Sequence, residues 1–172
     1  MTALRLSSTL LASCLALASL CSAQAQTASG SGLVVERTLS ADAALELATV
    51  ALHQCRSAGY KVTITVLNRH ARPVVVLSDD GVNPHTIENS ERKAYTAFTT
   101  RAPSGDVGKR AQPGLSGFLQ LDKISPLEGG LPIWSSNKEL VGAVGISGAP
   151  GGDKDAACGQ AGIDRIAPKL AG

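Results

Sequence analysis

Between Ser40 and Gly59 apolar residues recur at three- and four-residue steps, at Ala41, Ala44, Leu45, Ala48, Leu52 and Cys55. That spacing lines one face of a helix, with Glu46, Thr49, His53, Arg56 and Ser57 on the other. Ser40 is a good N-cap, Asp42 complements the positive helix end, and Gly59 terminates the element. The pattern then changes. Val62–Leu67 and Val74–Leu77 are short β-branched runs joined by the polar Asn68–Pro73 segment, which predicts a hairpin. Asp79-Asp80-Gly81 breaks the second run. A second helix opens with Asn83 as N-cap and Pro84 at its first position, or at Thr86, and turns Ile87, Ser90, Ala94, Ala97 and Phe98 inward before Pro103 stops it. Ser104–Lys123 has the weakest pattern and reads as one short helix and a loop containing Pro113-Gly114. Leu131–Trp134 and Leu140–Ile146 predict a second hairpin around Ser135–Glu139, with glycines at 142, 145 and 148 inviting close backbone approach. Asp153 caps a closing helix that ends before Pro168 and places Cys158, Gly162 and Ile166 on one face.

Two hairpins separated by helices imply an antiparallel sheet covered by helices, an α+β domain. The N-terminal segment has a different pattern. Arg5 is the only charge before Glu36, Leu10–Leu20 is an apolar stretch too short to span a bilayer, and Ala23-Gln24-Ala25 is a small-x-small cleavage pattern. A lipobox-like reading at Leu11–Cys14 leaves almost no apolar region before the cysteine. The expected organisation is an export signal over residues 1–25, a Ser/Gly/Ala-rich lead-in over 26–38 and one domain over 39–170. The expected setting is periplasmic or secreted, with no membrane span in the mature chain.

Charge and composition narrow the function classes. The formal net charge of +2 falls to +1 once Arg5 leaves with the signal. Such a domain has no electrostatic reason to bind nucleic acid or anionic membrane. Its few aromatic residues are scattered and form no base-stacking array. Cys14 and Cys21 also leave with the signal, so Cys55 and Cys158 remain. With no zinc-ligand spacing and an oxidising compartment, the pair points to a structural disulfide rather than a metal site or a nucleophile.

Motifs that carry chemistry are sparse. The Gly142–Gly148 run lacks a following βαβ unit and is no dinucleotide fingerprint, and Ala149 stands where a nucleophile elbow needs glycine. Ser90-Glu91-Arg92-Lys93 matches S-x-x-K without the companion motifs of acylating serine enzymes. His53 and His70 read as surface residues, whereas His85 stands at a helix mouth, either as an ordinary polar residue or as an iron ligand. Glu88 and Glu91 lie one turn apart and could share a hard cation, or they could simply complement the helix dipole.

Four blocks in order, Asp80–Thr86, Ser90–Ala97, Gly129–Ile133 and Val141–Asp153, resemble the GlcG/HbpS family of haem-binding proteins. The resemblance extends from about Leu39 to Ile166. It implies an antiparallel sheet of about five strands with flanking helices, a tendency to form homo-oligomers, and haem or iron binding. Glu88-Asn89-Ser90-Glu91 is similar to the family's E-x-x-E iron element. A second element, D-x-x-E, falls on Asp153–Ala156 and lacks its last acid. The family's iron-coordinating threonine falls near Ile124 or Ser125, and His85 is then the substitute haem ligand, with Tyr95 or a group in Ser104–Ser125 as the next candidate. Three functions follow. One is a non-catalytic haem- or iron-binding accessory protein, and a second is an enzyme that degrades haem or acts on another small molecule. A third is an oligomeric interaction module without a ligand.

The processed protein purified from its host is expected to begin at or near Gln26 and to carry no lipid. Intact-mass measurement checks this, and retention of residues 1–25 or a diacylglyceryl cysteine contradicts it.

Overall fold

The computed structural model describes residues 32–110 and 117–171. The expected signal over residues 1–25 and the Pro113-Gly114 turn lie outside the described residues. One compact unit runs from Glu36 onward. Its first element, α1 (Ala41–Ser57), starts as its cap residue dictates: Ser40 Oγ accepts from the Ala43 amide at 3.2 Å. Its buried face is Ala43, Ala44, Leu47, Ala48, Ala51, Leu52 and Cys55. The expected stripe is therefore rotated, since Ala41 is exposed, Leu45 is 53% exposed and Leu47 and Ala51 are fully buried. The cause is a second helical neighbour at Gly162, where a β-carbon would lie only 2.6 Å from the Leu47 carbonyl oxygen.

β1 (Thr63–Asn68) and β2 (Pro73–Ser78) form the expected hairpin. Its turn is held by Asn68 Oδ1, which accepts from the His70 and Arg72 amides, with Ala71 in the left-handed region. α2 (His85–Thr100) starts one residue later than the earliest sequence expectation, because the Asn83 backbone carbonyl accepts from Thr86 and the Asn83 side chain does not cap. Its buried positions are Thr86, Ser90, Lys93, Ala94, Thr96 and Ala97, and Ile87 is half exposed rather than inward. α3 (Ser104–Lys109) and a 3-10 turn (Phe118–Gln120) follow. The second hairpin is β3 (Gly130–Trp134) with β4 (Leu140–Ser147), and α4 (Gly152–Ile166) with a 3-10 turn after it (Ala167–Leu170) closes the unit. Gly151 takes the cap position of α4, and Asp153 stands in its first turn.

The sheet is antiparallel with order β2-β1-β4-β3, four strands rather than about five. The Leu33-Val34-Val35 run forms no strand. Further on, the Leu39 amide donates to the Val141 carbonyl at 3.2 Å.

Strand alternation gives the sheet two unlike faces. Ile64, Val66, Val144 and Ile146 join α1 and α4 in the main apolar core. Burying each such side chain contributes roughly 1.5–3 kcal/mol. Cys55 on α1 and Cys158 on α4 are disulfide-bonded through this layer, with Cα atoms 5.6 Å apart. Thr63, Thr65, Ala143, Gly145 and Ser147 point the other way, toward α2. There the packing is hydroxyl against hydroxyl, Thr63 with Thr86 at 2.9 Å and Thr65 with Ser90 at 2.8 Å. At Gly145 a β-carbon would overlap the Ser90 carbonyl and come within 2.6 Å of the Ala94 nitrogen. The helix backbone therefore rests directly on the strand.

Two stability changes follow. Replacing Cys55 and Cys158 with alanine should lower stability by up to about 4–5 kcal/mol in the chain-entropy model. Denaturant unfolding checks it, and two free thiols in the unfolded, non-reduced protein would contradict the bond. Gly145→Ala should cost about 1–3 kcal/mol through overpacking against α2, whereas an unchanged unfolding midpoint would mean that the helix can lift.

Candidate functional site

Because the α2 backbone is fixed against β4, its side chains divide between two flanks. On one flank Glu88, Glu91, Arg92 and Tyr95 line a cleft of about 230 Å³, closed on its other side by Asp122 and Lys123. The i, i+3 and i, i+4 steps of a helix put these residues on one side. Glu88 pairs with Arg92 at 2.7 Å and Glu91 with Lys123 at 3.6 Å. The Lys123 ammonium also lies 5.5 Å from the centre of the Tyr95 ring. Two carboxylates and a phenol oxygen are hard donors suited to ferric iron. A tyrosine oxygen is also one of the axial ligand types that proteins offer haem iron, and Arg92 and Lys123 supply the cations that propionates pair with.

The fit has limits of size and number. No three His, Cys, Asp or Glu side chains converge as a metal site among the described residues, so an ion here would have two carboxylates, completed by the phenol or water. The cleft is smaller than the roughly 300–1,000 Å³ of enclosed small-molecule sites. A haem would therefore lie against its open side rather than inside one chain.

On the opposite flank Asn83, His85, Asn89 and Lys93 face the 147–152 loop and Glu128 across a cavity of about 330 Å³. Lys93 is the one charge α2 buries. Its ammonium donates to Asp155 Oδ2 at 2.8 Å and to the Ile146 carbonyl at 2.9 Å, with both side chains only 4% exposed. Asp155 Oδ1 accepts from the Ala149 amide at 3.0 Å. Burial pushes the Asp155 carboxyl above its ordinary value, while Lys93 and the Ala149 amide pull the other way. The sequence signal for this pair was a lysine and an aspartate at inward helix positions, Lys93 beside Ala94 and Asp155 three residues before Cys158.

The structure brings Glu88, Glu91 and Tyr95 together and places His85 and Ser125 elsewhere. His85 is exposed at the rim of the second cavity. Ser125 is buried in a polar chain behind α2. Its amide donates to Thr96 Oγ1 at 2.8 Å and its hydroxyl to Asn89 Oδ1 at 3.0 Å, and Asn89 passes the chain on to Ser147. The S-x-x-K pair is split. The Ser90 hydroxyl bonds Thr65 and the Ile87 carbonyl, and Lys93 turns to Asp155.

A four-stranded antiparallel sheet, apolar toward two helices and polar toward a third that carries an acid-lined cleft, defines a class of small α+β domains. Within that class the chain belongs to the HbpS-like family, described as haem degrading protein HbpS-like, whose family model matches residues 39–164. The crystal structure of a Streptomyces reticuli HbpS variant is 30% identical with a TM-score of 0.74, covering 80% of this chain and 92% of that one. The two changes in that variant are glutamate to aspartate, three positions apart. HbpS itself is 31% identical with a TM-score of 0.73, covering 78% of this chain and 94% of its own. A PduOC–haem complex shares the fold at 23% identity and a TM-score of 0.70, covering 75% of this chain and 95% of that one. No curated protein sequence matches the chain significantly.

Replacing Lys93 with methionine strands the Asp155 carboxylate in the interior and should cost about 3–5 kcal/mol. The double change Lys93→Met with Asp155→Leu should recover much of that loss in urea unfolding, and additive losses would show that the pair itself holds no coupling.

Proposed function

We propose that this protein is an exported accessory protein that binds haem or iron without turning it over. The observation that carries this reading is the convergence of Glu88, Glu91 and Tyr95 in one cleft flanked by Arg92 and Lys123. Family membership supports the ligand class, and the glutamate pair changed in the HbpS variant has the spacing of Glu88 and Glu91. Glu88 and Glu91 hold a ferric ion, or Tyr95 faces haem iron while Arg92 and Lys123 pair with the propionates. When bound, the haem or iron supplies the redox-active centre, and the chain's own groups orient it. The open cleft is closed by a second copy of the chain, which is the reason to expect a homo-oligomer. The second reading is haem degradation, favoured by the family's description.

Titrating the apo-protein with haem should give a saturable Soret shift. Tyr95→Phe should weaken binding at least about tenfold, equivalent to 1.4 kcal/mol, and move the Soret band. His85→Ala should leave both unchanged, since His85 lines the other cavity. The reverse result would make His85 the ligand. Changing Glu88 and Glu91 together to Gln should abolish ferric binding while altering stability by less than about 0.5 kcal/mol, as exposed substitutions do. Loss of the haem spectrum on adding a reductant and oxygen would favour the degradation reading.

A further inference from the structure

The Glu88–Tyr95 cleft comes with cations of its own. Three acids, Glu88, Glu91 and Asp122, and two bases, Arg92 and Lys123, line it, a net of one negative charge. Neither base is idle. Arg92 holds Glu88 at 2.7 Å, and Lys123 holds Glu91 at 3.6 Å. The Lys123 ammonium also lies 5.5 Å from the centre of the Tyr95 ring. All three donor side chains therefore already face a positive charge.

The two bases reach the cleft by different routes. Arg92 shares a helix with the acids, and i, i+4 pairs of this kind form on any helix surface. Lys123 comes from a separate segment. Two positions on, the Ser125 amide donates to Thr96 Oγ1 at 2.8 Å and the Ser125 hydroxyl to Asn89 Oδ1 at 3.0 Å, both on α2. The Ile124 amide donates to the Leu121 carbonyl at 3.0 Å. The backbone beside Lys123 is thus tied to the helix that carries the acids. The lysine side chain itself is 57% exposed, and its flexible stem leaves the ammonium free to swing.

A charge placed this way acts with opposite sign on the two ligands of the function proposed above. Lys123 holds the Glu91 carboxylate that a bare ferric ion needs, and once displaced it still repels that ion at close range. Toward haem the same ammonium is an asset. A propionate gives Lys123 a new partner, so Lys123 leaves Glu91 and Tyr95 without losing an ion pair. We propose that Lys123 is the specificity-determining residue of the cleft. It disfavours bare iron and favours iron carried in a ligand with carboxylates of its own, such as haem. The inference rests on the binding function proposed for this cleft.

The test titrates the purified protein with three probes. Tb³⁺ is a hard trivalent ion read by tyrosine-sensitised luminescence, counting only the signal that the Glu88→Gln, Glu91→Gln double variant loses. Haemin is read by Soret absorbance, and so is haemin dimethyl ester, whose propionates are masked. Lys123→Gln should tighten Tb³⁺ about fivefold and weaken haemin about fivefold, the upper range of one exposed ion pair. It should leave the ester unchanged. Lys123→Arg keeps the charge and should return both affinities to the parent values. Movement of Tb³⁺ and haemin in one direction, an affinity that does not move, or an equal loss with the ester would overturn the inference. The cleft would still bind in each of those cases, so the function proposed above would stand. A parent protein that binds neither Tb³⁺ nor haemin would overturn both.

Discussion

The close seat of α2 on the sheet is the constraint from which the remaining structure follows. Side chains normally hold a helix off a sheet, but here Gly145 and Gly130 supply none, and the Ser90 and Lys93 backbones occupy the space a β-carbon would need. Apolar packing is thin at this distance, so specificity passes to matched hydroxyls, Thr63 with Thr86 and Thr65 with Ser90. A paired hydroxyl costs little to bury, and an unpaired one costs a good deal. No buried side-chain nitrogen or oxygen lacks a partner among the described residues. The helix can therefore neither rotate nor slide without breaking these bonds, and both of its flanks keep fixed side-chain positions.

The other face of the sheet serves a different purpose. Its core is Val, Ile, Leu and Ala, tied across by Cys55–Cys158 and by Glu46, which accepts from Arg165 and Lys169. Stability is concentrated there, and the polar face is free to carry charges that contribute little to it or oppose it. The Lys93–Asp155 pair illustrates the difference. Its burial is expensive, and its attraction repays that cost only because the Ile146 carbonyl and the Ala149 amide complete the network.

Much of this was legible in the sequence. β-Branched runs separated by turn residues located both hairpins, Ser40 located the start of α1, and inward-facing cysteines on the first and last helices anticipated their bond. Periodicity failed where burial comes from more than one side. α1 meets both the sheet and α4, so its buried arc shifts toward Leu47. α2 meets a polar face, so Thr86 and Lys93 go in while Ile87 stays out. A rule that sorts residues by hydrophobicity cannot find a buried lysine whose partner lies 62 positions away. The acid pair of the candidate site was visible through helical spacing alone. Its meeting with Tyr95 and Lys123 was not, because Lys123 arrives from a segment with no pattern of its own.

Glu88, Glu91 and Tyr95 are proposed to act as one iron-facing group. Crystals of the protein loaded with ferric iron or haem, measured at the iron absorption edge, locate the metal without reference to any spectrum. The strongest anomalous peak is expected within coordination distance of oxygens from Glu88, Glu91 or Tyr95. A peak beside His85 with none at this cleft, or no ordered iron at all, would contradict it.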